Sequence, residues 1–195
     1  MASKDSGGGN QTKQLLKAWE LQHGNPSQAK VFKVNAQNPP LTKLDDKIIN
    51  AILTNCVQLS FSTNAIERMP QLRLPSLKIL SLGRNRIKKL DNLKGLEPTL
   101  EQLWMSYNEV SNLDGIENMR SLRTLYLGNN RISKWGELTK LSRLPQLEDL
   151  VLFGNPIYTE CPDIATARVE VLRRVPQISK LDNRVRACRE LCVCF

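Results

Sequence analysis

The apolar positions of this chain recur in a fixed frame. Five stretches, CVQLSFSTNAI from Cys56, LKILSLGRNRI from Leu77, LEQLWMSYNEV from Leu100, LRTLYLGNNRI from Leu122 and LEDLVLFGNPI from Leu147, follow the form L-x-x-L-x-L-x-x-N-x-L. Their asparagines, Asn64, Asn85, Asn108, Asn130 and Asn155, are spaced by 21, 23, 22 and 25 residues. The alternation in each copy predicts a short strand with Leu80 and Leu82, Leu103 and Met105, Leu125 and Leu127, and Leu150 and Leu152 on its inner face. Each of these is worth roughly 1.5 to 3 kcal/mol of burial. The asparagine ends the strand, where its amide can donate to and accept from turn backbone groups that would otherwise be buried unpaired. Beyond the turn, Ile87, Leu90 and Leu93, and in the next copy Val110, Leu113 and Ile116, pack from the convex side. Asp91 and Asp114 are placed to cap short helical turns there.

The flanks read differently. Residues 1–11 are small and polar, with a triple glycine at Gly7 to Gly9, which predicts a disordered tail. From Thr12, the apolar face of Leu15, Leu16, Ala18 and Trp19 predicts a capping helix over 12–25, stopped by Gly24 and Pro26. Phe32 and Val34 alternate with polar residues as a degenerate first repeat, and Pro39-Pro40 prevents a helix from following directly. A helical stretch from Asp163 to Val175 leads to a last partial copy, VPQISKLDN, with Ile178 and Leu181 inward. End units must shield the core from water, so they depart from the frame. The expected architecture is an α/β leucine-rich repeat solenoid of short, about 22-residue repeats, with helical caps at both ends. The repeats and C-terminal cap occupy 26–183, and a basic, cysteine-containing tail occupies 184–195.

Composition narrows the function. With 41% hydrophobic residues in 195, one substantial core is the expectation. Lys+Arg 28 against Asp+Glu 19 gives +9, which favours an acidic partner. No apolar run of about 18 residues exists, and the N-terminus lacks the apolar core of a signal peptide, so a cytoplasmic protein is expected. Five cysteines, three of them crowded at the end, do not form a disulfide framework; Cys56 reads as a buried apolar residue. The lone histidine, His23, lies in the N-terminal cap, far from the loops a solenoid offers for catalysis. No phosphate-cradling glycine loop is present, and Cys188, Cys192 and Cys194 lack a fourth ligand at zinc spacing. The expectation is a protein that is not an enzyme, with no cofactor and no metal. Cys192-Val193-Cys194-Phe195 has the frame of a prenylation box with upstream arginines, although a cysteine stands where an aliphatic residue belongs. Cys192 is thus a candidate lipidation site, and only through it would a membrane role arise.

The residues between the inward ones face solvent on the concave side, and their middle positions read Ser60, Ser81, Trp104, Tyr126 and Val151. With Phe153 one step along and Ile79 and Thr124 beside them, they form an apolar and aromatic strip, a hot-spot surface on rigid strands. Positive charge sits elsewhere, at Arg84, Arg86, Lys88, Lys89 and Lys94 around one turn and at Arg168, Arg173 and Arg174 near the C-terminus.

The strings LSFSTNAIE, LKILSLGRNRIKKL, TLEQLWMSYNEV, LRTLYLGNNRISKWGEL, LEDLVLFGNPIY and RVEVLRRVPQISKLDN, in this order and spacing, resemble the leucine-rich repeat light chains of axonemal outer-arm dynein. The likeness runs from the N-terminal helix to about Asn183. It implies a non-catalytic subunit, monomeric alone, in the cytoplasm and cytoskeleton of the ciliary or flagellar axoneme. That subunit binds the dynein heavy-chain motor domain at its microtubule-binding stalk tip through Trp104, Tyr126, Val151, Phe153 and Ile79. It would lie close to tubulin, with Arg168, Arg173 and Arg174 as candidate contacts and with no nucleic acid bound. Alternative classes are a phosphatase-targeting subunit and a spliceosomal scaffold. The tail departs from the family pattern.

Overall fold

The computed structural model describes residues 6–186. Helix α1 (Ser6–His23) opens the chain, and a 3-10 turn (Pro26–Gln28) leads to β1 (Val31–Lys33) and α2 (Asp46–Ile52). Five strands follow at the repeat spacing: β2 (Gln58–Ser60), β3 (Ile79–Ser81), β4 (Gln102–Trp104), β5 (Thr124–Tyr126) and β6 (Asp149–Val151). Short α3 (Pro156–Thr159) and α4 (Ile164–Arg174) precede β7 (Lys180–Leu181) and β8 (Arg184–Val185). The strands form one eight-stranded sheet in chain order. Pairing is parallel up to β7, and β8 turns back antiparallel.

Each strand's central residue points inward, so Phe32, Leu59, Leu80, Leu103, Leu125 and Leu150 stack as one fully buried row. Leu82, Met105, Leu127 and Leu152 extend it, and Ile87, Val110 and Ile132 close it from behind. Burial pushes the Cys56 thiol up to about 11, as suits an inert core residue.

The asparagines bind each repeat to the one before. Asn108 Nδ2 donates to Met105 O of its own turn and to Leu82 O of the preceding one, while its Oδ1 accepts from Ile87 N at 3.0 Å. Asn85, Asn130 and Asn155 repeat the arrangement on Ile66 N, Val110 N and Ile132 N, each at 3.0 Å. Asn64, at the less regular end, reaches Gln37 N and Leu41 N at 3.4 and 3.1 Å and is less buried. The turn demands a left-handed residue just before each asparagine: Thr63, Arg84, Tyr107, Asn129 and Gly154 all have positive φ.

Several expectations need correction. Helix α1 begins at Ser6, inside the segment expected to be disordered. Tertiary contact overrides composition here, because Asp45 N donates to the buried Thr12 hydroxyl at 2.9 Å and Leu15 and Leu16 are buried. Asp91 caps no helix. Gly115 with φ 90 occupies the N-cap of the 3-10 turn Ile116–Asn118, so Asp114 falls one residue early and pairs with Lys140 instead. The boundary expected at 183/184 lies within a hairpin: Asp182 (φ 50) and Asn183 (φ 62) make the two-residue turn between β7 and β8, with the paired positive φ values that such hairpins prefer. Cys188, Cys192 and Cys194, with the lipidation frame, lie outside the described residues.

Asn108→Ala is expected to cost about 2 to 3 kcal/mol, because it strands a buried N–H and two carbonyls; Asn64→Ala should cost nearer about 1 kcal/mol. Urea denaturation of the two variants checks the order. Tyr158 donates to the Asp182 carboxylate, and burial first, then the Asp182 charge, push its phenol far above the ordinary 10.0. The neutral phenol is therefore the folded form, and its contribution to stability is complete below pH 10 and lost as pH rises beyond it. Tyr158→Phe should flatten the decline in melting temperature measured above pH 10.

Candidate functional site: the aromatic sheet face

The outward residues fall into registered rows. Ser60, Ser81, Trp104, Tyr126 and Val151 stand side by side across β2 to β6. The serines are buried in a polar network: Ser60 donates to Asn35 Oδ1 at 2.7 Å, and the Ser62 and Ser81 hydroxyls meet at 2.7 Å. The apolar strip therefore begins at Trp104. Its ring stacks on Tyr126 with centroids 6.0 Å apart and planes 16° from parallel. The Trp104 indole N–H is buried without an acceptor among the described residues.

Ile79 lies in the neighbouring row, where Gln102 and not an apolar side chain faces it. The same row ends in Asp149 and Lys180, whose ammonium lies 2.8 Å from the Asp149 carboxylate. Tyr126 donates to that carboxylate at 3.1 Å, and burial together with the Asp149 charge raises its phenol above the ordinary value. The carboxylate thus pins the Tyr126 ring.

Past the strand ends a third row reads Ser62, Gly83, Ser106, Gly128 and Phe153, and its residues accept backbone bonds from the left-handed position of the preceding repeat, as in Tyr107 N to Gly128 O at 2.9 Å. A Cβ at Gly128 would sit 3.0 Å from Val151 Cγ1 and 3.2 Å from Phe153 O, so only glycine fits there without displacing the strip. Ser106 and Gly128 floor a groove of about 470 Å³, walled by Tyr107, Val151, Phe153 and Ile164 and closed at the C-terminal end by Arg168 and Arg184. Phe153 is 50% exposed, Tyr107 49% and Ile164 54%. Asp182 fixes this end, its Oδ1 accepting from Leu152 N at 2.8 Å and Phe153 N at 2.9 Å in place of a further strand.

The structure thus unites Trp104, Tyr126, Val151 and Phe153 and leaves Ile79 at the margin. It adds Tyr107 and Ile164, which sequence reading passed over. One signal for Tyr107 was available: it precedes the ladder asparagine, where a left-handed backbone makes a bulky aromatic unusual. The basic trio does not act as one surface. Arg168 is buried at 6% exposure and donates to Leu181 O at 2.8 Å, satisfying a carbonyl at the end of the sheet. Arg174 pairs with Glu170 and lies 4.9 Å over the Trp135 ring. Arg173 remains exposed, 3.1 Å from Glu170; the bond from Arg174 is the main cause that lowers the Glu170 carboxyl below its ordinary value. No cluster that could hold a metal occurs among the described residues, and no helix among them is long and apolar enough to cross a membrane.

Stacked strand-and-turn units locked by asparagines define a leucine-rich repeat protein, and the family described as Leucine Rich repeats (2 copies) matches residues 98–140. An internalin from Listeria monocytogenes shares the fold, with TM-score 0.58 and 23% identity over 74% of this chain and 39% of that one. Curated relatives are far more similar. Dynein axonemal light chain 1 of Homo sapiens is 45% identical, covering 88% of this chain and 90% of its own. Its counterpart in Chlamydomonas reinhardtii is 43% identical over 80% of each. The chain belongs to the axonemal dynein light chain 1 family, a family of the ciliary and flagellar cytoskeleton.

Trp104→Phe should shift stability by less than about 1 kcal/mol, since it removes a buried donor that has no acceptor. Thermal unfolding checks this, and a larger loss would mean that the N–H is paired in solution.

Proposed function

We propose that this protein is a non-catalytic light chain of ciliary or flagellar outer-arm dynein. It binds the heavy-chain motor domain, at the microtubule-binding stalk tip, and modulates the motor's grip on microtubules. The observation that carries the reading is the contiguous strip of Trp104, Tyr126 and Val151 on in-register strands, continued by Phe153 just past the end of β6. A rigid sheet presents these aromatics with little conformational entropy left to lose, and large apolar side chains on such a surface dominate interface energies. The Tyr107–Phe153–Ile164 groove beside it accepts a side chain of the partner. Tubulin is the second partner in this reading, and Arg173 is the member of the basic trio that stays exposed to meet it.

Tagged full-length protein should capture dynein heavy chain from ciliary extract. Trp104→Ala should weaken capture by about 2 kcal/mol, roughly thirtyfold, with its melting profile preserved. Equal capture by the variant would mean that another face binds. Arg173→Glu should reduce microtubule co-sedimentation of the captured complex at low salt and leave capture itself unchanged.

A further inference from the structure

We propose that Arg84, Arg86, Lys88 and Lys89 form a docking surface for an acidic peptide segment, separate from the aromatic strip. The inference stands whether or not the sheet face binds a dynein heavy chain. It starts from how the chain disposes of its charge. Several cations elsewhere are matched by carboxylates of adjacent turns: Lys78 lies 2.9 Å from Glu101, Arg123 2.8 Å from Glu148 and Arg131 3.1 Å from Glu109, and Lys140 meets Asp114. The four cations of this turn have no ion pair among the described residues, and all four are exposed. Like charges gathered in one turn repel, and the carboxylates nearby, Glu67 and Asp91, line the surface beside Lys88 and Lys89 without an ion pair to any of the four.

The turn is also rigid. Arg84 N donates to Ser106 O at 2.9 Å, Arg86 N to Ile66 O at 2.9 Å and Ile87 N to Asn108 Oδ1 at 3.0 Å, so the side chains fan out from a fixed backbone. Arg84 holds a left-handed conformation (φ 54), and its guanidinium lies 4.3 Å over the Tyr107 ring. A guanidinium held over a ring loses little freedom on binding and still carries N–H donors that can take a carboxylate bidentately.

The chemistry favours a peptide over a nucleic acid. Glu67 and Asp91 line the same surface beside Lys88 and Lys89 and would repel a continuous phosphate backbone, whereas carboxylates spaced along a peptide can avoid them. The one aromatic at this turn, Tyr107, carries Arg84 on its ring and also lines the neighbouring groove, and a single ring makes no row of platforms for successive bases.

The test titrates ¹⁵N-labelled full-length protein with a decaglutamate peptide at low ionic strength and again at about 0.15 M salt. Backbone shifts should concentrate between Arg84 and Lys89 and at Tyr107, and weaken with salt. The pair Lys88→Glu and Lys89→Glu, which spares the left-handed position, should weaken binding about tenfold, as should Arg84→Glu with Arg86→Glu. Arg173→Glu should leave affinity within about twofold. Shifts spread evenly over the exposed lysines and arginines would overturn the proposal, as would unchanged affinity in both double variants. Tighter binding of a single-stranded RNA of equal charge would overturn it too.

Discussion

Everything in this molecule hangs on the hydrogen bonding of one side-chain type. Each ladder asparagine donates to carbonyls of two successive turns and accepts from a third backbone group. Only the amides of asparagine and glutamine put two N–H donors and a carbonyl acceptor on one uncharged planar group, and the shorter stem of asparagine fits the distance between turns. Three-residue strands, too short to hold a sheet alone, become a continuous surface because the asparagines fix their register. The left-handed residue before each asparagine follows from the same geometry, since the chain must reverse to bring the amide beneath the preceding turn.

That constraint decides what the sheet face can present. Rows in register mean that a residue exchanged in one copy changes a single point on the surface without disturbing the core row between strands. Serines in early copies close into a hydroxyl network, and aromatic or branched residues in later copies stand out. Glycine and serine at Gly128 and Ser106 leave room for Val151 and Phe153 and turn the strip's edge into a groove. The end of the solenoid is finished by substitution: Asp182 supplies the acceptors that a further strand would offer, and Arg168 takes up Leu181 O. Two charged residues thereby serve the cap, where their cost is offset by backbone groups that would otherwise be bare.

Charge is sorted by the same stacking. Neighbouring turns lie close enough for a lysine or arginine in one to meet a carboxylate in the next, and most of the pairs described follow this pattern. From Arg84 to Lys89 positive charge accumulates, because Glu109, the acid at the place of Arg86 in the next turn, pairs with Arg131 on its far side. The resulting surface adjoins the groove beside the aromatic strip at Tyr107, which lines that groove and carries Arg84 over its ring.

The sequence by itself determined the repeat, its inward leucines, the asparagine turns and the Trp104–Tyr126–Val151 strip, because each depends on residues a fixed distance apart within one copy or at the same place in successive copies. Tertiary structure alone decided the rest. Whether an arginine faces water or the end of the sheet depends on how α4 lies on β7, so Arg168 looked like Arg173 until the chain was folded. The helix over 12–25 was legible from its apolar face, but not its anchoring through Asp45 N and the Thr12 hydroxyl, and Ile164 lines the groove beside Phe153 only once α4 is in place. A periodic sequence encodes its own lattice through local spacing, whereas its ends and the uses of its surface arise from contacts between residues with no shared period.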